Sequence, residues 1–163
     1  MAMAESVAPE AVPSSDYLEL LQLVERLHRQ LLDVVKDELD REGLDDLNSV
    51  QALLLFNIGD QELTAGELRT RGHYLGSNVS YNLKKLVDAG YIRHERSAVD
   101  RRSVRVSLTE SGHAVCAHLN KLFDRQGSSL NPVGGVDVDQ LPGINTALAR
   151  IERFWADHIR FRM

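Results

Sequence analysis

Apolar residues recur at helical spacing along most of the chain. Tyr17, Leu20, Leu21, Val24, Leu27, Leu31, Leu32, Val34 and Val35 follow Asp16 in one such run. Asp16 and Glu19 have capping-box spacing, and Gly43 supplies a stop. A helix of roughly 25 residues is ~38 Å long at 1.5 Å per residue. That is too long to bury itself on one small domain, so a partner helix from a second chain is expected. A second helix starts at Asn48, with Gln51 returning the cap, and carries Val50, Leu53, Leu54 and Ile58 to a stop at Gly59. Thr64 and Glu67 repeat the signal for a short third helix ending near Gly72. Residues 73–76 read as a turn. A fourth helix runs from Ser77 or Asn78 to Ala89, with Gly90 as its stop. Val79, Leu83, Leu86 and Val87 face one way on it, and the polar residues face out.

The period then changes to two. Residues 91–94 predict a short strand, and Val104, Val106 and Leu108 a second, with a polar loop over 95–102. Thr109 caps a fifth helix bearing Val115, Leu119, Leu122 and Phe123. Residues 127–135 read as a glycine-rich loop. Asp137 and Gln140 cap a last helix carrying Leu141, Ile144, Leu148, Ile151, Trp155 and Ile159. Pro142 falls in its first turn, where a missing N–H is tolerated. Residues 1–15 contain two prolines and no periodicity, and predict a flexible arm. The expected organisation is that arm, a dimerisation helix over 16–47, a core over 48–112 and dimerisation helices over 113–163. The fold class is mainly α with a small β-hairpin.

The net charge of −5 over 163 residues argues at first against a nucleic-acid partner. Its distribution reverses that. Residues 1–68 hold 4 basic and 15 acidic side chains, residues 69–105 hold 9 and 3, and residues 106–163 hold 6 of each. All excess positive charge lies in one central segment, where a local field can attract phosphates. The longest apolar run, residues 52–56, is far short of a membrane span. No basic patch precedes an apolar stretch at the N-terminus, so no signal peptide and a cytoplasmic location are expected. A single cysteine, Cys116, excludes an intramolecular disulfide.

A helix, a short helix, a turn, a polar-faced helix and a basic hairpin, in that order, define a winged helix-turn-helix. A major groove admits one helix, and short polar side chains reach base edges there. Ser77, Asn78, Ser80, Tyr81 and Asn82 supply donors and acceptors, and Lys84 and Lys85 can contact phosphates. Arg96, Arg101, Arg102 and Arg105 crowd the hairpin, where an arginine can enter a narrow minor groove. Alternation along the hairpin puts Asp100 on the face of Arg102, which it is expected to orient. A solvated polar helix beside a solvated loop is the competing reading; the shared basic segment disfavours it.

Residues 62–112 resemble the winged core of MarR-type bacterial transcription regulators. The resemblance rests on ELTAGEL at 62–68, SNVSYNLKKLVDAGYI at 77–92 and DRRSVRVSLTESG at 100–112. The second stretch is also similar to the LdtR-like branch found in alphaproteobacteria. The resemblance implies a homodimeric, ligand-tunable regulator, expected to be a repressor, binding a palindromic operator in double-stranded DNA. It places Asn78, Ser80, Tyr81, Asn82 and Lys84 on the recognition helix and Arg101 and Arg102 at the wing. His73, Tyr74, Leu75 and Gly76 depart from the family's usual small-residue turn.

Tyr17, Leu20, Leu21 and Val24 with Leu148, Ile151, Phe154 and Trp155 are the expected dimer interface. The effector pocket is expected between the dimer helices and the winged core, and no motif names its ligand. His28 reads as an interface residue rather than a ligand contact. His113, Cys116 and His118 do not converge as metal ligands, because His118 lies about 140° round the helix from His113. No metal, cofactor or enzymatic activity is expected. The rivals are a winged adaptor that binds only protein, and a redox regulator sensing through Cys116.

Overall fold

The computed structural model describes residues 14–72, 76–96 and 104–162. The side chains of residues 65, 69, 71, 72, 76 and 77 lie outside that description. So do most of the N-terminal arm, the turn at 73–75 and the wing tip with Asp100, Arg101 and Arg102. Two compact units make up the chain, Met1–Cys116 and Ala117–Met163.

In the first unit, α1 (Ser15–Arg41) is followed by α2 (Ser49–Ile58), β1 (Leu63–Thr64), α3 (Ala65–Gly72), α4 (Gly76–Asp88), β2 (Ile92–Arg96) and β3 (Val104–Leu108). α5 (Glu110–Ser129) begins in the first unit and ends in the second. A 3-10 turn (Val138–Gln140) then leads into α6 (Leu141–Phe161).

The capping boxes at Asn48 and Gln51, Thr64 and Glu67, and Asp137 and Gln140 all form. The last caps the 3-10 turn, so α6 starts one step later than expected. At α1 the cap is Ser14, not Asp16: Ser14 Oγ accepts from the Tyr17 amide at 3.2 Å. Asp16 lies inside the first turn, where its charge favours the positive helix end. Gly43, Gly59 and Gly90 all take positive φ, as stops after α1, α2 and α4. Gly127, expected to open a loop, is inside α5.

The wing differs from a simple hairpin. Its sheet has three antiparallel strands in the order β1-β3-β2, with Leu63 opposite Val106 and Ile92 opposite Leu108. β2 also runs two residues further than expected, so Glu95 and Arg96 are strand residues facing Arg105 and Val104. Leu54, Leu55, Ile58, Leu68, Val79 and Leu86 are almost wholly buried, with Leu63, Ile92, Val106 and Leu108 closing the sheet side.

A knot of short contacts ties the sheet to α5. The Thr109 amide donates to the Tyr91 carbonyl at 3.0 Å, and Thr109 Oγ1 donates to the Gly90 carbonyl at 2.6 Å. The Gly112 amide in turn donates to Thr109 Oγ1 at 3.3 Å. Gly112 has no room for a side chain: a Cβ there would overlap the Tyr91 carbonyl oxygen and meet Leu108 Cβ at 3.2 Å. Gly112→Ala is therefore expected to destabilise the chain by about 1–3 kcal/mol, the usual cost of overpacking. Urea unfolding should show it as a lower midpoint at an unchanged slope.

Candidate nucleic-acid interface

α4 is amphipathic. Val79, Leu83 and Leu86 are buried, Val87 is half-buried, and Asn78, Ser80, Tyr81, Lys84 and Lys85 are exposed. The burial of one stripe fixes the helix on α2, α3 and the sheet, so the opposite stripe projects from the protein. Tyr81 is 62% exposed, large for an aromatic, and Lys85 Nζ sits 5.6 Å from its ring centroid. Such a cation–π contact at an exposed site is worth about 0.5–1 kcal/mol and restrains both side chains.

Asn82 is placed differently from its neighbours. It is half-buried, and its Oδ1 accepts from Gln51 Nε2 at 3.4 Å. Sequence reasoning read Gln51 only as a helix cap. A contact between side chains 31 positions apart leaves no spacing signal that could have found it.

On the sheet, Arg93, His94 and Arg96 are exposed on β2. Arg105 is exposed on β3, but its guanidinium lies 3.6 Å from Glu62 and it faces Glu95 across the strands. Arg105 thus works beside two carboxylates, whereas Lys84 and Lys85 have no ion pair among the described residues. Between α4 and the sheet lies a cavity of about 320 Å³. Leu83, Val87, Val104 and Val106 give it an apolar wall, and Lys84 and His94 stand among its polar lining.

Two further groups titrate abnormally. Burial, assisted by the charge of Asp60, pushes the Cys116 thiol up to about 11. Burial also pushes the Tyr91 hydroxyl up to about 12, helped by its 2.8 Å hydrogen bond to Asp46. A thiol with that pKa is about one part in ten thousand thiolate at pH 7, and thiolate is the reactive form. This weighs against redox sensing. His113 Nδ1 lies 3.6 Å from Asp60, and among the described residues no three potential ligands gather to hold a metal.

An exposed cationic helix beside a small antiparallel wing defines a winged helix-turn-helix of the nucleic-acid-binding class. Residues 45–103 match the model of the MarR family. A Rhizobium meliloti protein, the exopolysaccharide II synthesis transcriptional activator ExpG, is 38% identical over 145 residues. The match covers 89% of this chain and 74% of that one. The chain belongs to the MarR family and is a DNA-binding transcription regulator, not an enzyme. Solved structures share its fold. Mutant MarR C80S from E. coli with operator DNA superposes with a TM-score of 0.68 at 19% identity, covering 86% of this chain and 99% of that one. A MarR regulator from Methanosarcina mazei gives 0.68 at 23% identity, covering 85% and 96%. Streptococcus pneumoniae FabT in complex with DNA gives 0.64 at 22%, covering 87% and 99%. No described helix is long and apolar enough to cross a membrane.

Two outcomes are expected. Both raised groups are neutral when protonated, so their folded pKa values exceed the unfolded ones. Their contribution to stability is complete below pH ~9 and is lost as pH rises through 11 and 12. Thermal melts should fall across that alkaline window, and Cys116→Ala should remove the part nearest pH 9–11. In the native protein at pH 7, Cys116 should react with a maleimide far more slowly than a free thiol, and peroxide should leave DNA affinity unchanged.

Proposed function

We propose that the chain acts as a homodimer whose two α4 helices enter successive major grooves of a palindromic operator. The observation that carries DNA reading is the outward stripe of Asn78, Tyr81, Lys84 and Lys85 next to the exposed arginines of β2. Ser80, exposed on the same helix, and Ser77 at its start are part of the same proposal. On the sequence pattern alone, Asp100 as the orienting partner of Arg102, and Arg101 or Arg102 as a contact to an A·T-rich minor groove, belong to the same proposal; these residues lie outside the described ones.

Dimerisation is supported by two helices with uncovered apolar faces. α6 has no buried residue, although it carries Leu148 at 42% and Phe154 at 56% exposure, with Ile151 and Trp155 half-buried. The N-terminal half of α1 likewise exposes Tyr17 and Leu18, with Leu20, Leu21 and Val24 half-buried. A second copy of the chain supplies the missing cover for both. Two recognition helices then sit about 34 Å apart, one DNA turn.

Regulation is by a small-molecule effector that favours a dimer with the wrong separation. The cavity between α4 and the sheet is of ligand size, and an occupant there would displace α4 against the wing. Bound over a promoter, the dimer represses by occlusion. The 38% identical relative, named as a transcriptional activator, favours a second reading in which the bound dimer recruits transcription. It also makes exopolysaccharide genes the first targets to examine.

Light scattering should give a mass near twice the 18.3 kDa of one chain. Ile151→Asp should halve that mass and abolish operator binding together; a monomer that keeps full affinity would refute the dimeric mode. Lys84→Ala should weaken binding to all duplexes alike and lower the slope of log affinity against log salt by about one. A reporter fused to mapped target promoters should rise on deletion for a repressor and fall for an activator.

A further inference from the structure

Gln51 occupies an unusual position in the first unit. It is 8% exposed, and both ends of its amide are engaged. Its Oε1 accepts from the Asn48 amide at 3.2 Å, closing the cap of α2. Its Nε2 donates to Asn82 Oδ1 on α4. Next to it, Ser49 Oγ donates to the Leu32 carbonyl of α1 at 2.6 Å, so this end of α2 is pinned from both sides.

The chemistry of these partners fixes their orientations in turn. A backbone N–H is only a donor, so the Gln51 atom facing Asn48 must be oxygen. The other end of the Gln51 amide is then NH₂. An NH₂ group facing Asn82 requires an acceptor, so Oδ1 of Asn82 faces Gln51 and its Nδ2 points away from Gln51. Asn82 is half-buried, and positions 78 and 85, four and three residues away on the same side of α4, are both exposed.

We propose that Gln51 is a positioning residue for operator recognition: it locks the Asn82 amide so that α4 presents an N–H donor at that point. Such a donor reads an acceptor edge in the major groove, namely guanine N7 and O6, adenine N7 or thymine O4. The bidentate pair with adenine needs the asparagine oxygen to face the base as well, and the bond to Gln51 turns that oxygen toward α2 instead. The inference deepens the DNA-reading mode above and rests on it.

The test is selection of bound sequences from a pool of randomised duplex DNA, with folding of each variant followed by thermal melting. Asn82→Ala should flatten one base column of the selected site and so identify it. Gln51→Glu keeps the capping box, since glutamate serves that role as well as glutamine. Both glutamate oxygens are acceptors, so Asn82 must turn its NH₂ inward and its oxygen outward. The preferred base in that column should then move to a donor edge, cytosine N4 or adenine N6, by roughly tenfold, as for one good base contact. Gln51→Leu removes the lock and should flatten the same column while other columns persist. A wild-type preference retained in both Gln51 variants would overturn the proposal, and so would an Asn82→Ala variant that flattens nothing. In the latter case the remaining columns would still support reading by α4. A wild-type protein that enriches no sequence would overturn the DNA-reading mode itself, and the lock with it. Should Gln51→Glu fail to fold, the column in Gln51→Leu decides: flattened supports the lock, unflattened refutes it.

Discussion

Where β2 leaves α4 and β3 enters α5, two chain segments cross so closely that one position must be glycine. Gly112 sits against the Tyr91 carbonyl, and Thr109 bonds to both Tyr91 and Gly90. The wing is anchored at this crossing. Because Tyr91 also donates to Asp46, in the connection between α1 and α2, the same residue fastens the start of β2 to that connection. The position of α4 follows, since Gly90 ends that helix one residue earlier. A small sheet with one two-residue strand has little stability alone; here its geometry is set by contacts outside the sheet.

Local signals explain what was legible in the sequence. Capping boxes act over three residues, and all three of those with an Asn, Thr or Asp start form as the spacing indicates. At α1, Ser14 and Asp16 are both good caps two residues apart, so composition alone could not choose between them. β1 went unseen because two residues carry no period; it exists through pairing with β3, some 40 positions later. β2 was cut short because beyond Ile92 its residues Arg93, His94, Glu95 and Arg96 are all exposed, which erases the alternation that marks a half-buried strand.

The candidate interface divides in the same way. The outward face of α4 was legible, since the buried stripe of Val79, Leu83 and Leu86 fixes the rest by geometry. What each polar side chain does was not. Asn82 and Arg105 look equivalent to their neighbours in the sequence, yet one is held by Gln51 and the other lies beside Glu62. Both partners come from elements remote in the chain, and only folding brings them together.

Three ion pairs along α1 have a wider effect. Glu25 with Arg29, Lys36 with Asp40 and Asp37 with Arg41 engage three of the four basic residues of that helix. Exposed pairs of this kind add little stability. They do cancel positive charge locally, leaving the helix with a surplus of carboxylates. A polyanion approaching α1 is repelled, while one approaching α4 meets uncancelled lysines. The molecule thus carries an electrostatic vector that turns it toward DNA during diffusion. Net negative charge over the rest of the chain at the same time opposes accumulation on the nucleic acid through other faces.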